Sequence, residues 1–159
     1  MVVTAGFDSL LSGAGQLEAG KLPPVHLWDP PFCGDIDIRI ARNGSWYHEG
    51  RPFQREALVR LLSSILKREG DEYFLVSPVE KMRIRVEDVP FIAVGMTEEK
   101  TADSSAPVLW FRTLTQDLVR LDAEHPLRVQ VDPVSGEPRP YIMVRGGMEA
   151  RIHRRLGRA

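Results

Sequence analysis

The sequence predicts an α+β protein made of two small, mostly antiparallel β subdomains related by internal duplication, with one main helix packed on the first. First, the stretch 73–86, YFLVSPVEKMRIRV, returns in diluted form at 141–153 as YIMVRGGMEARIH. Second, apolar and polar residues alternate in many short runs, which is typical of strands with one buried face. Third, one run of 15 residues, Gln54–Arg68, has its leucines at helical spacing.

The two copies of the repeat agree without a gap at four positions. These are the pairs Tyr73/Tyr141, Val76/Val144, Arg83/Arg151 and Ile84/Ile152. Upstream, the same alignment sets Arg39 against Arg112 and Pro52 against Pro126 at the expense of one inserted residue. Such a repeat predicts that one structural unit was copied.

The first 34 residues are predicted to form a loose helix followed by a proline-rich extended arm. Residues 1–21 carry apolar side chains at helical spacing, interrupted by glycines. Residues 22–35, LPPVHLWDPPFCGD, contain four prolines, which fix φ and remove backbone donors. The arm is therefore expected to run extended over the surface of a larger unit.

Residues 35–96 are predicted to form the first subdomain. Isoleucines alternate with polar residues over 36–40, which predicts a strand with one buried face. Asn43-Gly44 then predicts a hairpin, because both residues tolerate positive φ. The helix Gln54–Arg68 follows, and Gly70 ends it.

The rest of the first subdomain is predicted to be a hairpin and a further strand. Tyr73–Val76 and Met82–Val86 have the pattern of strands, and Ser77–Glu80 between them has the form of a capping box for a single helical turn. Pro90–Val94 is predicted as another short strand, which would pair two chains if it formed an exposed edge.

A hydrophilic segment, 97–106 (TEEKTADSSA), is predicted to link the two subdomains. The second subdomain, 107–159, then has the pattern of an antiparallel meander whose last hairpin turns at Gly146-Gly147. Its predicted strands are Val108–Leu114, Leu118–Asp122, Leu127–Val131, Tyr141–Arg145 and Met148–His153.

Composition and charge describe a folded cytoplasmic protein without a global attraction to nucleic acid or anionic lipid. Of the 159 residues, 43% are hydrophobic and 27% are charged, and the net charge is -1, which excludes a disordered or membrane-spanning chain. The N-terminus has no pattern of a secretory signal. Cys33 is the only cysteine, which rules out an intrachain disulfide and fits a reducing compartment.

Several long blocks together resemble a known family. They are LPPVHLWDPPFCGDIDIRIARNGSWYHEGRPFQREALVRL, LVSPVEKMRIRVEDVPFIAV, FRT, DAEHPLRV and PYIMVRGGMEARI. They are similar to the bacterial domain-of-unknown-function family 1285 over 22–154, a family with no established reaction. The resemblance implies two structurally repeated subdomains, the second superficially like a pleckstrin-homology fold, and a cleft between them that holds a nucleotide-like ligand in signal transduction. Members continue past the position of Arg154 with an apolar helix, so we expect that helix to be short or absent here.

The predicted ligand-binding residues are mostly basic side chains on the repeated strands. The set consists of Arg39, Trp46, Lys81, Arg83, Arg112, Thr113, Arg145 and Arg151. We expect the guanidinium groups matched in the repeat to face one another at the junction and to bind phosphate or carboxylate, with Trp46 stacked on a base. In the alternative interpretation, Trp46 belongs to the core and the arginines are solvated and paired with Asp37, Glu80, Glu87 or Glu149.

We therefore favour a non-enzymatic regulatory protein that binds a small anionic or nucleotide-like ligand, without a cofactor or a metal. Nucleic-acid binding is the first alternative, because residues 139–159 contain six arginines and one acid. A hydrolase is the second, using either Cys33 with His26 or His48 as its base, or a carboxylate with His48, although no orienting carboxylate is evident and no catalytic residue is assigned. His26, Asp29 and Cys33 lack the spacing of a zinc site.

Overall fold

The computed structural model describes residues 22–100 and 106–156, together with Leu10 and Ala102. The chain divides into two compact units, 1–88 and 89–159. The helix predicted within residues 1–21 lies outside the described residues except for Leu10, which is fully buried. No helix in the described part of the chain is long and apolar enough to cross a membrane.

The first unit contains one six-stranded sheet and one α-helix among its described residues 22–88. A 3₁₀ turn at Val25–Leu27 precedes the elements β1 (Phe32–Ile40), β2 (Trp46–His48), β3 (Arg51–Pro52), α1 (Glu56–Ser63), β4 (Leu66–Glu69), β5 (Glu72–Val76) and β6 (Lys81–Val86). The strand order is β3-β2-β1-β6-β5-β4. All neighbours are antiparallel except β1 and β6, which run parallel.

The second unit contains another six-stranded sheet. Its strands are β7 (Phe91–Glu99), β8 (Val108–Thr113), β9 (Leu118–Arg120), β10 (Leu127–Val131), β11 (Pro138–Arg145) and β12 (Met148–Ile152). The strand order is β10-β11-β12-β7-β8-β9, and only β12 and β7 run parallel. The five predicted strands and the turn at Gly146-Gly147 are confirmed, but a single meander is not formed, because β9 and β10 lie at opposite edges of the sheet.

The two sheets have the same topology, which confirms the predicted duplication. Each consists of two antiparallel meanders of three strands, and the parallel pair joins the first strand of one meander to the last strand of the other. The hairpins β5–β6 and β11–β12, which carry the repeated sequence, are therefore equivalent. The upstream part of the alignment is wrong, because Arg39 lies on β1 and Arg112 on β8, whereas the counterpart of β1 is β7.

In strands β1 and β12 the buried residues lie on one face, as period-two alternation predicts. In β1, Ile36, Ile38 and Ile40 are buried and the residues between them are not. In β12, the buried residues are Met148, Ala150 and Ile152. The Asn43-Gly44 hairpin is confirmed, with Gly44 at a φ of 92° and the amide of Ala41 donating to the carbonyl of Ser45.

The helix is shorter than its leucine spacing predicts. It ends at Ser63, and Leu66–Glu69 is strand β4. The hydroxyl groups of Ser63 and Ser64 donate to the carbonyls of Arg60 and Leu61 at 2.7 and 2.6 Å, which favours termination of the helix. Leu66, fully buried, pairs with Leu75 of β5, so sheet pairing outweighs the local helical pattern.

The predicted boundary and the predicted arm both differ from the structure. The units divide after Asp88, and the segment predicted as a linker begins inside β7, whose Glu99 pairs with Val108 of β8. The hydrophilic segment 97–106 therefore connects two paired strands, β7 and β8, rather than two subdomains. β7 lies between β12 and β8, so the exposed edge that would allow its first residues to pair two chains is not formed. The arm ends at Phe32, where β1 already begins.

Candidate functional site

Arg39 is engaged by groups of its own unit. Its Nη1 donates to Oε2 of Glu87 at 2.8 Å, and its guanidinium lies 4.3 Å from the ring centroid of Tyr47. Glu87 also accepts a hydrogen bond of 2.9 Å from the backbone N–H of Arg42. This backbone bond, with help from Arg39, lowers the pKa of Glu87. Arg39 thus completes a local ion pair, as the alternative interpretation of the sequence holds.

Arg83 is held even more completely. It donates to both carboxylate oxygens of Asp35 at 2.6 and 3.2 Å and to Glu72 at 2.6 Å. The hydrogen bond from Arg83 lowers the pKa of Asp35, and the two carboxylates raise the pKa of Arg83. Its guanidinium also lies 5.1 Å from the ring centroid of Phe32. All three nitrogens of the Arg83 guanidinium therefore already donate to carboxylates.

Lys81 and Trp46 are likewise committed to the first unit. Lys81 Nζ donates to Glu69 at 2.8 Å and lies 4.9 Å from the ring centroid of Phe74. The hydrogen bond from Lys81 lowers the pKa of Glu69, and Lys67, 3.4 Å away, acts in the same direction. Trp46 is 3% exposed and belongs to the core, where it packs with other apolar side chains.

In the second unit, Thr113 and Arg145 belong to one polar network around Asp117. Arg145 Nε donates to Oδ1 of Asp117 at 2.9 Å, and the hydroxyls of Thr113 and Thr115 donate to Oδ2 at 3.1 and 3.0 Å. The backbone N–H of Asp117 also donates to Thr113 Oγ1 at 2.9 Å, which holds Asp117 in place. Thr113 is fully buried and Arg145 is 18% exposed at its side chain. This network stabilises the turn between β8 and β9.

Arg112 and Arg151 are different, because the described residues give neither of them an ion pair. Arg112 is exposed on β8, and its Nη2 lies 3.1 Å from the position that a Cβ on Gly95 would occupy. The absence of a side chain at Gly95 therefore lets this guanidinium lie against the sheet. Arg151 is partly exposed on β12 and lines a cavity.

That cavity, which we call the second-unit cavity, has a volume of about 840 Å³. Apolar side chains of five strands and of the last described turn form much of its wall; among them are Met96, Phe111, Leu127, Val129, Pro140, Ile152 and Leu156. A volume of this size lies within the range of small-molecule sites, roughly 300–1,000 Å³. The cavity thus offers apolar surface to the body of a ligand.

Charged side chains line the same cavity and nearly cancel one another. Arg139 pairs with Asp132, and Arg154 donates to Glu137 at 2.6 Å. The pKa of Asp132 is lowered by hydrogen bonds from the backbone N–H groups of Val134 and Ser135 and by Arg139, so this pair is charged at neutral pH. Among the described residues that line the cavity, three arginines against two carboxylates leave one positive charge, and it belongs to Arg151.

A further concavity of about 620 Å³ lies on the first unit, where the β2–β3 hairpin meets the start of α1. His48, Arg51, Phe53 and Arg55 are among its lining residues. His48 stacks on Phe53 with ring centroids 5.9 Å apart and lies 3.8 Å from Glu49. Of these residues, sequence patterns single out only His48 as a candidate for chemistry.

The arrangement expected of a hydrolase is not formed in the described residues. The exposed thiol of Cys33 donates to the carbonyl of Pro31 at 3.3 Å, and neither His26 nor His48 hydrogen-bonds to it. No group of three His, Cys, Asp or Glu side chains in the described part of the chain could hold a metal ion.

The predicted site residues are therefore divided by the structure. Arg39, Trp46, Lys81 and Arg83 lie in the first unit, whereas Arg112, Thr113, Arg145 and Arg151 lie in the second. Only Arg151 lines the second-unit cavity. Sequence reasoning missed the apolar wall, because Leu127 and Val129 follow a period-two pattern that ordinarily signals burial rather than a cavity surface.

Two family models match the chain one after the other. The domain of unknown function DUF1285, N-terminal domain, matches residues 23–89, and the C-terminal domain of the same family matches residues 90–157. The border between the two matches falls one residue from the border between the two compact units. A comparison with curated proteins finds no match.

Two solved structures are similar to the chain. A DUF1285 family protein from Silicibacter pomeroyi DSS-3 is 48% identical with a TM-score of 0.84, and the match covers 94% of this chain and 81% of that chain. A DUF1285 family protein from Shewanella baltica OS155 is 25% identical with a TM-score of 0.58, over 75% of this chain and 85% of that chain. Both similarities cover strands of both units.

Proposed function

The chain belongs to the DUF1285 family, and we propose that it is a non-enzymatic regulatory protein whose second unit binds a small organic anion. The observation that carries the proposal is the position of Arg151. It is the arginine of the second-unit cavity that the described residues leave without a carboxylate partner. A ligand with one negative group would balance the charge of the cavity.

The apolar wall determines the rest of the ligand. Met96, Phe111, Leu127 and Val129 favour a flat or branched apolar body, because binding removes apolar surface of both partners from water. A nucleotide-like molecule with a single phosphate has both parts, and so does an aryl or alkyl carboxylate. The ligand class is therefore an amphipathic anion with an aromatic or aliphatic body and one acidic group.

The alternative functions receive less support. Of the arginines predicted to contact nucleic acid, three are already in ion pairs: Arg139 with Asp132, Arg145 with Asp117 and Arg154 with Glu137. These pairs reduce the charge available to phosphates.

A lone, exposed thiol at Cys33 suits a reducing compartment, so we place the protein in the cytoplasm. There, reversible binding of a metabolite would let it act in signal transduction.

The test is a titration with two probes, adenosine monophosphate and anilinonaphthalene sulfonate, followed by calorimetry and by fluorescence. We expect saturable binding of at least one probe. Replacing Arg151 by methionine removes a charge-assisted hydrogen bond, which contributes about 1.5–3 kcal/mol, so affinity should fall about 10- to 150-fold.

The matched control is Arg112→Met, which removes the same charge from an exposed position of the same unit that does not line the cavity. It should leave affinity unchanged at physiological ionic strength, where the charge of an exposed side chain is screened beyond about 8 Å. Failure of both probes to bind, or an equal loss of affinity in the two variants, would count against the proposal.

A further inference from the structure

The four edge strands of the two sheets are protected very differently. An unpaired edge is ordinarily blocked by charges, by proline or by shortness. β3 consists of Arg51 and Pro52, β4 carries Lys67, Arg68 and Glu69, and β9 is three residues long and ends with Arg120. β10 is the exception, because all five of its residues are exposed and three of them are aliphatic.

The aliphatic residues of β10 lie on one face of the strand. Leu127, Val129 and Val131 are 47%, 61% and 60% exposed. Alternating positions of a strand share a face, so the three side chains form a continuous row along the open edge. Leu127 and Val129 also reach the second-unit cavity.

The backbone of the same three residues is turned toward the open edge. The amide of Met143 donates to the carbonyl of Pro126, and the amide of Asp132 donates to the carbonyl of Glu137, so the even-numbered residues of β10 bond to β11. In an antiparallel ladder the alternate residues then point their N–H and C=O groups away. Consistently, Val129 and Val131 lie opposite Pro140 and Pro138, which have no N–H to give.

From this arrangement we propose that β10 is a self-pairing edge, and that two copies of the chain associate by antiparallel pairing of β10 about a two-fold axis at Val129. In that register, Val129 exchanges both backbone hydrogen bonds with Val129 of the second copy. Leu127 does the same with Val131 of the second copy. Every outward N–H and C=O of Leu127, Val129 and Val131 finds a partner, which is the condition for an isologous interface.

The side chains are also complementary to themselves in this register. The row of Leu127, Val129 and Val131 meets the same row in reverse order, so apolar side chains lie directly across from one another. On the other face, Arg128 lies across from Gln130 of the second copy. Arg128 already donates to both carboxylate oxygens of Glu149 at 3.0 and 2.9 Å, so its charge is compensated and the two copies do not repel each other there.

A second copy is favoured over an unrelated peptide because the strand is symmetric in its own chemistry about Val129. The other edge of this sheet lacks that property. In β9, pairing about its central residue would set Leu118 across from Arg120 of the second copy, which places an apolar side chain against a charge.

Sedimentation velocity of the full-length protein across a dilution series tests the proposal. The protein should shift from monomer to dimer as concentration rises, and Val129→Pro should remain monomeric at every concentration. Proline is tolerated at this position, because the N–H that it removes points to the open edge and the bonds to β11 are kept. The matched control, Leu118→Pro, changes an exposed residue at the other edge, 68% exposed, and should still dimerise.

A cysteine pair tests the register. In a Cys33→Ser background, Val129→Cys places two thiols on a directly opposed pair with a Cα separation of about 5.5 Å, which allows a disulfide. Oxidation should therefore link Val129→Cys into covalent dimers, whereas Gln130→Cys, whose partner across the axis is Arg128, should stay monomeric. A wild-type protein that is monomeric throughout, or equal cross-linking of the two cysteine variants, would overturn the proposal. Loss of ligand binding in Arg151→Met would leave it untouched.

Discussion

Replacing Asp117 by alanine tests whether Thr113 and Arg145 serve the stability of the second unit. In the wild type, one carboxylate accepts hydrogen bonds from Arg145, Thr113 and Thr115. The side chain of Asp117 is 11% exposed and that of Arg145 is 18% exposed, so water replaces the lost partner only in part. The variant leaves a mostly buried guanidinium without its carboxylate.

The magnitude follows from these contacts. Breaking a fully buried ion pair by removing one partner costs about 3–5 kcal/mol, and the residual exposure of Arg145 places this site at the lower end. We expect Asp117→Ala to lower the free energy of unfolding by about 3 kcal/mol. A double variant that also carries Arg145→Met should regain about 1–2 kcal/mol, because the mostly buried guanidinium that lost this carboxylate is then absent too.

Urea unfolding followed by circular dichroism measures both values, and amide hydrogen exchange at residues 113–117 reports the turn itself. Thr115→Val is the matched control, because it removes one hydrogen bond from a neutral hydroxyl to the same carboxylate and should cost about 1.5 kcal/mol. The reasoning is refuted if Asp117→Ala costs no more than Thr115→Val, or if the double variant is less stable than Asp117→Ala.

Three further predictions concern the first unit. The hydrogen bond from Lys81 holds the pKa of Glu69 below its ordinary value. The contribution of this ion pair to stability is therefore present at neutral pH and is lost as pH falls through the lowered folded-state pKa. Carbon-detected NMR titration should show a midpoint below that of an unperturbed glutamate, and Lys81→Met should raise it, whereas an unchanged midpoint would exclude this cause. Gly70 has a φ of 62° in the turn between β4 and β5, so Gly70→Ala should lower the free energy of unfolding by about 1 kcal/mol. A variant that is more stable than the wild type in urea unfolding would contradict this turn geometry. Leu75 is fully buried, so Leu75→Ala should lower the free energy of unfolding by about 2–5 kcal/mol. Val79→Ala, at a position 67% exposed, should change it by no more than about 0.5 kcal/mol, and equal effects of the two variants would argue against this core.

Much of the fold could be predicted from local patterns. The hairpin at Asn43-Gly44, the strands of the second unit and the equivalence of the β5–β6 and β11–β12 hairpins all follow from turn chemistry and from side-chain alternation. The order of those strands does not, because β9 and β10 follow one another in the chain but lie at opposite edges of the sheet. The strand β4 could not be predicted, because Leu66 continues the helical spacing of α1 and only its pairing with Leu75 across the sheet selects a strand. Non-local pairing of this kind leaves no local signal.

The candidate site was less predictable, because the partners of an arginine are distant in sequence. Arg39 and Glu87 are 48 residues apart, and so are Arg83 and Asp35. These pairs form only because β1 lies beside β6 in the sheet. The repeat pointed to Arg151, but the absence of a carboxylate beside it depends on the fold of β11 and β12 and on the residues around the second-unit cavity.

NMR shift mapping of the isotope-labelled full-length chain with adenosine monophosphate or anilinonaphthalene sulfonate shows directly whether the second-unit cavity binds the ligand. We expect saturable shifts at residues that line the second-unit cavity, above all Phe111, Val129 and Arg151. Arg39 and Arg83 should change little, because their guanidinium groups are already paired. Shifts centred on Arg39 and Arg83, with the second-unit cavity unaffected, would contradict the proposed function.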